Sequence, residues 1–584
     1  YIHVKEGFNP NKLYNVEFYG IIKLGLFEHE VSVNGIMKDS GIKYSSLHNC
    51  IIEDNVYINR VADISNYHIE NAAIIENVGS LHVTGRNSFG NGVEIEVLNE
   101  GGGRELPIFE ELNAQLAYMI VNYQHDQELI SKLKLMVEEF LDSRKTEWGK
   151  VGKQACIQQV KRIENVNVGP FTKILATDMI VNGTIMSDIN SCSKIINARL
   201  LKNFIMQEGS KVENDAQVEN CFIGQAVTIG KQYSAENSAF FANTECFHGE
   251  ACALFAGPYT VTHHKSSLLI AGLFSFYNAG SGTNQSNHMY KLGPLHQGIL
   301  ERGCKTGSFS YLLWPSRVGP FSAVMGKHYS HFDVSDFPFS YVEEQNGESV
   351  LTPAMNLITV GTLRDSQKWP KRDKRKSASK RDLINFDLFS PFIISKVIKA
   401  QEKLGKLYEN ASKKTEYINL EGIKVKRLLM RTAKKYYKIP VNIFLGEQLI
   451  RFIKKHNLVK SEDFFKLAFE NKMSVHEKWV DMIGLIAPYH NIENLIKDIK
   501  TGNFKSFSEI IDELSVIHEK YDDFAWQWTV DLMEKQSGKK SSEFKAEDLL
   551  KIVDNWKTDQ IKLNNMILRD ADKEFDVNSM KSYG

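Results

Sequence analysis

The heptapeptide Val168-Gly-Pro-Phe-Thr-Lys-Ile174 returns 150 residues later, almost unchanged, as Val318-Gly-Pro-Phe-Ser-Ala-Val324. Each copy begins and ends with an aliphatic residue, so aliphatic residues stand six positions apart, and a glycine follows the first of them. A six-residue period matches neither the 3.6-residue period of a helix nor the two-residue alternation of a strand. It is typical of a β-solenoid, in which the chain winds into stacked coils with flat sides.

The six-residue spacing recurs along much of the chain. We expect its aliphatic side chains to point into a narrow bore and to stack on counterparts in the next coil. The residue after each of them is expected to turn a corner, where Gly or Asn tolerates unusual backbone angles. Runs of this kind predict a left-handed parallel β-helix, an exception to the right-handed crossover rule. The sets are Ile52, Ile58 and Ile64; Val168, Ile174 and Ile180; Met206, Val212 and Val218; and, after a slip of one residue, Ile223, Ile229 and Ala235.

Two helical regions accompany the predicted solenoid. Apolar residues at helical spacing predict an αα-hairpin inserted between coils, and amphipathic spacing predicts an all-α domain at the end of the chain, with one of its helices at 477–486. The predicted organisation is a first solenoid part at 1–106, the helical hairpin and return at 107–163, a second solenoid part with polar loops at 164–362, a basic linker at 363–386 and the α-helical domain at 387–584.

The chain is electrically balanced, with 71 Lys and Arg against 71 Asp and Glu. No global field therefore favours nucleic acid or an anionic membrane, and we expect neither as a partner. The longest apolar runs, such as 266–276, are far shorter than the roughly 20 residues that a membrane span needs. The seven cysteines are scattered and odd in number, which favours free thiols in a reducing, cytoplasmic compartment and no metal site.

The segment from Arg364 to Arg381 is strongly basic, with nine Lys or Arg residues against two Asp. One interpretation is a patch that binds phosphate or nucleic acid. The other is a solvated linker between the solenoid and the helical domain. Pro370 and the sequence Ser377-Ala-Ser379 favour the linker.

Histidines are concentrated in one part of the chain, since seven of the 17 lie between His248 and His331. Runs of Ser, Gly, Thr and Asn accompany them, which predicts a polar cleft on a solenoid face. Histidine suits general-base catalysis because its pKa lies near the working pH. The alternative is structural, because Ser, Asn, Gly and Thr are also common at solenoid corners, where their side chains satisfy backbone groups.

Several motifs connect the chain with known families. Over about residues 15–105 and 164–330 the hexads resemble the trimeric hexapeptide transferase superfamily. Longer motifs resemble, more narrowly, a bacterial family found largely in gut Bacteroidetes and described as a domain of unknown function. These motifs are Leu47-His-Asn-Cys-Ile-Ile52, Gly257-Pro-Tyr-Thr-Val-Thr-His-His-Lys-Ser-Ser267, Asn278-Ala-Gly-Ser-Gly-Thr-Asn-Gln-Ser-Asn-His-Met-Tyr290 and Tyr311-Leu-Leu-Trp-Pro315. The resemblance implies a homo-oligomer, commonly a trimer. A dimer is the alternative, in which the inserted helices and the long α-helical domain block trimer packing.

The resemblance also implies a reaction, acyl transfer from acyl-CoA to a sugar or a nucleotide sugar. Within the predicted polar cleft, His263 or His264 would be the general base, with His288 as the next choice. Contacts with substrate hydroxyl groups would come from Asn284, Gln285 and Asn287. The remaining substrate-binding candidates are His296 and three cations suited to a phosphate or carboxylate, Lys265, Lys291 and Arg302.

Two other functions fit the same sequence. The first is a non-catalytic scaffold or carbohydrate-binding protein, because the inserted hairpin and the helical domain add mass that a compact hexapeptide enzyme does not need. The second is a protein similar to sugar-1-phosphate nucleotidyltransferases. That reaction needs a nucleotide-binding α/β domain with a Gly-rich phosphate loop, and residues 1–584 contain no such loop.

Overall fold

A computed structural model describes residues 1–286, 297–458, 460–469, 473–474 and 476–572. Its main feature is a parallel β-solenoid of about 20 turns, and a helical region follows it. The predicted fold class, a parallel solenoid with inserted and C-terminal helices, is therefore confirmed. The chain divides into two compact units. The first comprises Tyr1–Leu273, Ser281–Gln297 and Asp373–Asp382, and the second Phe274–Gly280, Gly298–Arg372 and Leu383–Gly584.

The strands of the first unit are almost all parallel, as expected for a solenoid. They are Ile2–Val4, Leu13–Leu24, Glu30–Val33, Ile36–Asp39, Gly41–Ile52, Tyr57–Ile69, Ile74–His82, Glu94–Ile95, Leu106–Pro107, Gly149–Val151, Cys156–Val168, Lys173–Leu175, Met179–Ile185, Lys194–Ile196, Leu200–Met206, Lys211–Glu213, Gln217–Ile223, Thr228–Gly230, Ser234–Phe240, Glu245–Phe247, Glu250–Cys252, Phe255–Ala256, Val261–Thr262, Leu268–Ile270, Asn284–Ser286 and Gly272–Phe274, whose last residue belongs to the second unit.

Most turns of the first unit repeat every 17 residues. The register pairs Ile58 with Ile75, and Leu201 with Val218, which in turn pairs with Ala235. The inward-facing residues of one turn are therefore six, six and five positions apart. The slip of one residue that the sequence shows after Val218 therefore belongs to the ordinary turn. The handedness of the winding stays a prediction.

Asparagines with a left-handed backbone form one corner of these turns. Asn182, Asn203 and Asn220 have φ values of 51°, 52° and 51°. The amide Nδ2 of Asn182 donates to Oδ1 of Asn203 at 2.8 Å, and Asn203 donates in the same way to Asn220 at 2.8 Å. Asparagine suits this corner because it tolerates the left-handed region and its amide both donates and accepts.

The glycine of the repeated heptapeptide has a different role from the one predicted. The left-handed residues are Phe171 and Phe321, with φ values of 60° and 56°, and not the glycines. A Cβ atom on Gly169 would lie 2.6 Å from the carbonyl oxygen of Ile185 in the next turn, and one on Gly319 would lie 2.9 Å from a backbone oxygen. Glycine is therefore needed there because successive turns approach closely.

Ten α-helices lie within the described residues. The first two lie within the predicted helical insertion, whose first helix begins at residue 114 and not at 107. The helices are α1 (Ala114–Asn122), α2 (Gln127–Arg144), α3 (Val360–Lys368), α4 (Pro391–Asn410), α5 (Arg427–Lys455), α6 (Ser461–Ala468), α7 (Tyr489–Thr501), α8 (Phe507–Glu519), α9 (Tyr521–Ser537) and α10 (Ala546–Asp572). Within the described residues, none of these helices is both long and apolar enough to cross a lipid bilayer.

The second unit combines solenoid strands with most of these helices. Two of its β-hairpins, at 417–426 and 479–488, lie among the helices, so the C-terminal region is not all-α and the helix predicted at 477–486 is wrong. Both hairpins close through two residues with positive φ, Glu421-Gly422 and Ile483-Gly484, a geometry that matches the twist of the strands. The strands are Asn278–Ala279, Gly298–Leu300, Lys305–Thr306, Tyr311–Leu313, Arg317–Val318, Ala323–Met325, Lys327–His328, Asp333–Val334, Tyr341–Gln345, Glu348–Thr352, Tyr417–Leu420, Ile423–Lys426, Trp479–Met482 and Leu485–Pro488.

Part of the basic run packs against the solenoid and is not a solvated linker. Within the first unit, the buried side chain of Arg375 binds Asp373 at 2.9 Å. The carboxylate of Asp382 is also buried, and it accepts hydrogen bonds from the backbone N–H groups of Ala114 and Ala242, both at 2.8 Å. We call residues 373–382 the strap. The charges of Arg375, Asp373 and Asp382 have specific partners within the protein, whereas the charges of a solvated linker would be satisfied by water.

Candidate functional site on one face of the solenoid

One flat side of the first unit, which we call face A, consists of short strands in six consecutive turns. The middle residue of each three-residue strand is buried, and the first and third residues point away from the core except Gly230, which is itself buried. Successive strands pair in parallel, so equivalent residues form rows across the turns. The strands of face A are Lys173–Leu175, Lys194–Ile196, Lys211–Glu213, Thr228–Gly230, Glu245–Phe247 and Val261–Thr262, and His263 extends the last of them.

The first predicted base, His263, lies at one end of face A. Its Nε2 atom is 2.7 Å from Oε2 of Glu245, and its side chain is 41% exposed. The imidazole also stacks on the ring of Phe247, with 5.0 Å between the ring centroids. The ammonium group of Lys231 lies 4.6 Å from the centre of the same Phe247 ring. Two contacts, one polar and one aromatic, therefore hold the imidazole in one orientation.

The partner of His263 is a strongly acidic carboxyl group. The hydrogen bond with His263, supported by the ammonium group of Lys374 in the strap, lowers the pKa of Glu245 to about 2 although partial burial opposes ionisation. Glu245 is therefore negative at neutral pH. A carboxylate at this position can accept a hydrogen bond from Nε2–H of a neutral imidazole, which leaves Nδ1 as the proton acceptor.

Of the other predicted residues of the same stretch, Asn284 and Gln285 do not lie on face A with His263. His264 and Lys265 follow it directly and are exposed. Asn284 belongs to a different side of the solenoid, where its backbone pairs with Leu268. Gln285 points into the bore, and its side-chain oxygen accepts a hydrogen bond from the backbone of Ile270 at 3.2 Å. A buried amide of this kind is not accessible to substrate hydroxyl groups.

Arg302 has a structural environment that does not fit the predicted role in binding a phosphate or carboxylate of a substrate. It lies in the second unit, and its side chain is 1% exposed. The guanidinium group binds Asp481 at 2.8 Å and donates to the backbone oxygens of Asn385 and Gly484 at 2.6 and 2.8 Å. The ring of Phe276 covers it at 4.7 Å. These internal partners occupy the guanidinium group on several sides, so a substrate would have to displace them.

Four predicted residues lie outside the described part of the chain, namely Asn287, His288, Lys291 and His296. Their proposed roles stay predictions. Among the residues that the structure does describe, no three His, Cys, Asp or Glu side chains are arranged to hold a metal ion. All seven cysteines are free thiols, and four of them are buried.

Face A also carries a row of lysines that our sequence predictions missed. Lys173 pairs in register with Lys194, and Lys194 with Lys211. Lys173 and Lys211 are exposed, and Lys194 is partly exposed. The intervals between them are 21 and 17 residues. The longer interval hides the repeat from a search at fixed spacing, whereas alignment of the buried Ile174, Ile195 and Val212 would have revealed it.

Comparison with known proteins identifies two domain models in the chain. A model described as Domain of unknown function (DUF4954) matches residues 1–408, and a second, Domain of unknown function (DUF6819), matches residues 460–584. Among curated proteins, an uncharacterized protein of Treponema pallidum (strain Nichols) is 24% identical over 572 residues. That alignment covers 90% of this chain and 77% of the relative.

Proposed function

The chain belongs to the DUF4954 family, and from that premise we propose that it is a non-catalytic scaffold whose solenoid binds a carbohydrate polymer along face A. One observation carries the proposal, namely the repetition of the same outward positions in consecutive turns of face A. Neighbouring strands of a sheet are about 4.8 Å apart, so six strands span about 24 Å. A ligand that repeats along its own length can make an equivalent contact at every turn.

The chemistry of face A suits sugar residues. Leu175, which is 36% exposed, and Ile196 form a short aliphatic row beside the lysines. Such a row packs against the C–H faces of sugar rings, while each lysine ammonium offers three hydrogen-bond donors to hydroxyl groups. Each contact is weak by itself, but contacts along one polymer chain add without a further loss of translational freedom.

The test is affinity electrophoresis of the full chain in gels that contain soluble polysaccharides, with circular dichroism as a check on folding. We expect at least one polysaccharide to retard the protein, and Leu175→Asn to weaken this retention about threefold to tenfold by removing part of the apolar contact. The matched control is Leu135→Asn, because Leu135 is an exposed leucine of α2. Absence of retention by every polymer, or equal loss in both variants, would overturn the proposal.

A second candidate function is acyl transfer, and the pairing of His263 with Glu245 at 2.7 Å favours it. In this reaction Nδ1 of His263 accepts the proton of a substrate hydroxyl group as that oxygen attacks the thioester carbonyl carbon of acyl-CoA. The C–S bond then breaks, and the coenzyme A thiolate leaves as a thiol with the proton from His263. Calorimetric titration with acetyl-CoA and longer acyl-CoAs, followed by measurement of thiol release with sugar acceptors, tests it. We expect His263→Ala to abolish release and Lys132→Ala in α2 to leave it unchanged. The reaction is excluded if no acyl-CoA binds.

A further inference from the structure

The lysine row, which consists of Lys173, Lys194 and Lys211, bears on the charge of the ligand. We infer that face A binds an acidic polysaccharide, one whose sugar residues carry carboxylate or sulfate groups in a regular repeat. This inference rests on the proposed binding of a carbohydrate polymer at face A and specifies the class of polymer.

The three ammonium groups repeat at the spacing of the turns. Because their residues are in register on adjacent parallel strands, the side chains leave the sheet about 4.8 Å apart. Within the described residues none of the three has an ion-pair partner. Like charges directly opposite each other on neighbouring strands destabilise a sheet. The row therefore has an electrostatic cost that a ligand with regularly spaced negative groups would relieve.

Another side of the same solenoid shows how this cost is avoided. Lys202 pairs in register with Glu219 of the next turn, and their charged groups are 2.5 Å apart. Opposite charges at this spacing neutralise each other within the protein. The lysine row has no such alternation of positive and negative residues between positions 173 and 211, so its positive charge is directed to solvent.

The acidic residues of face A do not neutralise the row. Glu213 stands on the same strand as Lys211, and it forms no ion pair with the lysines within the described residues. Three ammonium groups against this one carboxylate leave a net charge of plus two on this part of the face. The other acid, Glu245, lies beyond the uncharged Thr228 and is held by His263 and Lys374.

The surroundings of the row favour a sugar polymer over a nucleic acid. Single-stranded nucleic acids need aromatic rings on which the bases stack. The residues beside Lys173 and Lys194 are Leu175 and Ile196, which are aliphatic. The nearest ring of face A is that of Phe247, and it is already in contact with His263 and Lys231.

The experiment measures binding of the full chain to immobilised polymers by biolayer interferometry at two salt concentrations. The polymers are alginate, heparin, alginate whose carboxyl groups have been reduced to alcohols, and single-stranded poly(dT). We expect binding to alginate or heparin that weakens with salt, because screening shortens the range of charge interactions. Binding to reduced alginate is expected to be at least tenfold weaker than to alginate.

Two triple variants locate the binding. K173Q/K194Q/K211Q removes the row and is expected to weaken binding of the acidic polymer at least tenfold. K132Q/K535Q/K557Q removes the same charge from exposed lysines of α2, α9 and α10 and is expected to change binding less than twofold. Equal loss in both variants would overturn the inference.

The remaining outcomes separate the inference from the proposed function. Equal binding to alginate and to its reduced form overturns the acidic ligand and leaves carbohydrate binding in place. The acidic ligand is also overturned, and carbohydrate binding left in place, if the protein binds neither acidic polymer but a neutral polysaccharide still retards it in gels. Binding to poly(dT) alone overturns both, because the ligand would then be a nucleic acid.

Discussion

Glu447 is a half-buried carboxyl group in α5 whose ionisation is opposed by its surroundings. Burial raises its pKa to about 7, and the neighbouring Asp387 adds to this effect while Arg451 opposes it. Between pH of about 4.5 and about 7, the unfolded chain has released this proton and the folded chain still holds it. The free energy of unfolding therefore falls as the pH rises through that window.

Replacement of Glu447 with glutamine removes this dependence, because the amide does not ionise. We expect Glu447→Gln to increase the free energy of unfolding by about 1–3 kcal/mol at pH 8 and to have little effect at pH 4. Urea unfolding at both pH values measures the difference. Glu402→Gln in α4 is the control, since Glu402 is exposed. An equal effect of the Glu447 substitution at both pH values would contradict the prediction.

Asn203 shows how one residue type serves both the backbone and a hydrogen-bond ladder. Alanine at φ of 52° has a cost of about 1–2 kcal/mol in the left-handed region and forms no ladder hydrogen bonds. We expect Asn203→Ala to lower the free energy of unfolding by about 2–4 kcal/mol, and Asn203→Gly, which tolerates the backbone angle, by about half as much. Chemical denaturation of the two variants and the unchanged protein measures both losses in the free energy of unfolding. Equal losses for Ala and Gly would show that the backbone angle contributes nothing.

At the scale of helices, two glycines in neighbouring elements have opposite expected responses to the same substitution. Alanine stabilises an exposed helical position by up to about 1 kcal/mol relative to glycine. In α5, however, a Cβ atom on Gly446 would lie 2.3 Å from Cβ of Trp556 in α10. In α4, a Cβ atom on Gly405 would meet only the flexible end of Lys434 at 2.9 Å.

We therefore expect Gly446→Ala to lower the thermal unfolding temperature, because the clash with Trp556 costs about 1–3 kcal/mol and exceeds the gain in helix propensity. Gly405→Ala is the matched control and is expected to raise the unfolding temperature slightly. Scanning calorimetry of both variants measures the effects. If the unfolding temperature rises in both variants, α5 and α10 do not approach each other as closely as the structure indicates.

At the scale of the whole chain, Arg302 connects three distant stretches of the second unit. It binds the solenoid segment around residue 302 to the backbone at Asn385 and to the hairpin that contains Asp481. We expect Arg302→Met to lower the free energy of unfolding by about 3–5 kcal/mol, because it leaves the buried carboxylate of Asp481 without a cation. Urea unfolding monitored by tryptophan fluorescence measures the loss.

The double variant R302M/D481L separates the ion pair of Arg302 from its hydrogen bonds with the backbone. Removal of both charges leaves no uncompensated ion, so we expect it to recover at least half of the stability lost in Arg302→Met. A double variant that is no more stable than the single one would show that the backbone hydrogen bonds of Arg302 matter more than its ion pair.

The candidate site was only partly accessible from the sequence. His263 was identified because histidines cluster around it, but its partner Glu245 lies one turn away, and Lys374 comes from the distant strap. The lysine row escaped detection because a turn of irregular length separates Lys173 from Lys194. Arg302 and Gln285 resembled ligand-binding residues, since residue type alone does not distinguish a buried structural cation or amide from an exposed one.

The sequence by itself determined the solenoid, because each turn has to place aliphatic residues in the bore at nearly regular intervals, and such periodicity is local information. It also determined that helices interrupt and follow the solenoid. Only the tertiary structure decided which outward residues share a face, because that depends on the number of residues in every intervening turn. The pairing of His263 with Glu245 and the row of Lys173, Lys194 and Lys211 are consequences of that register.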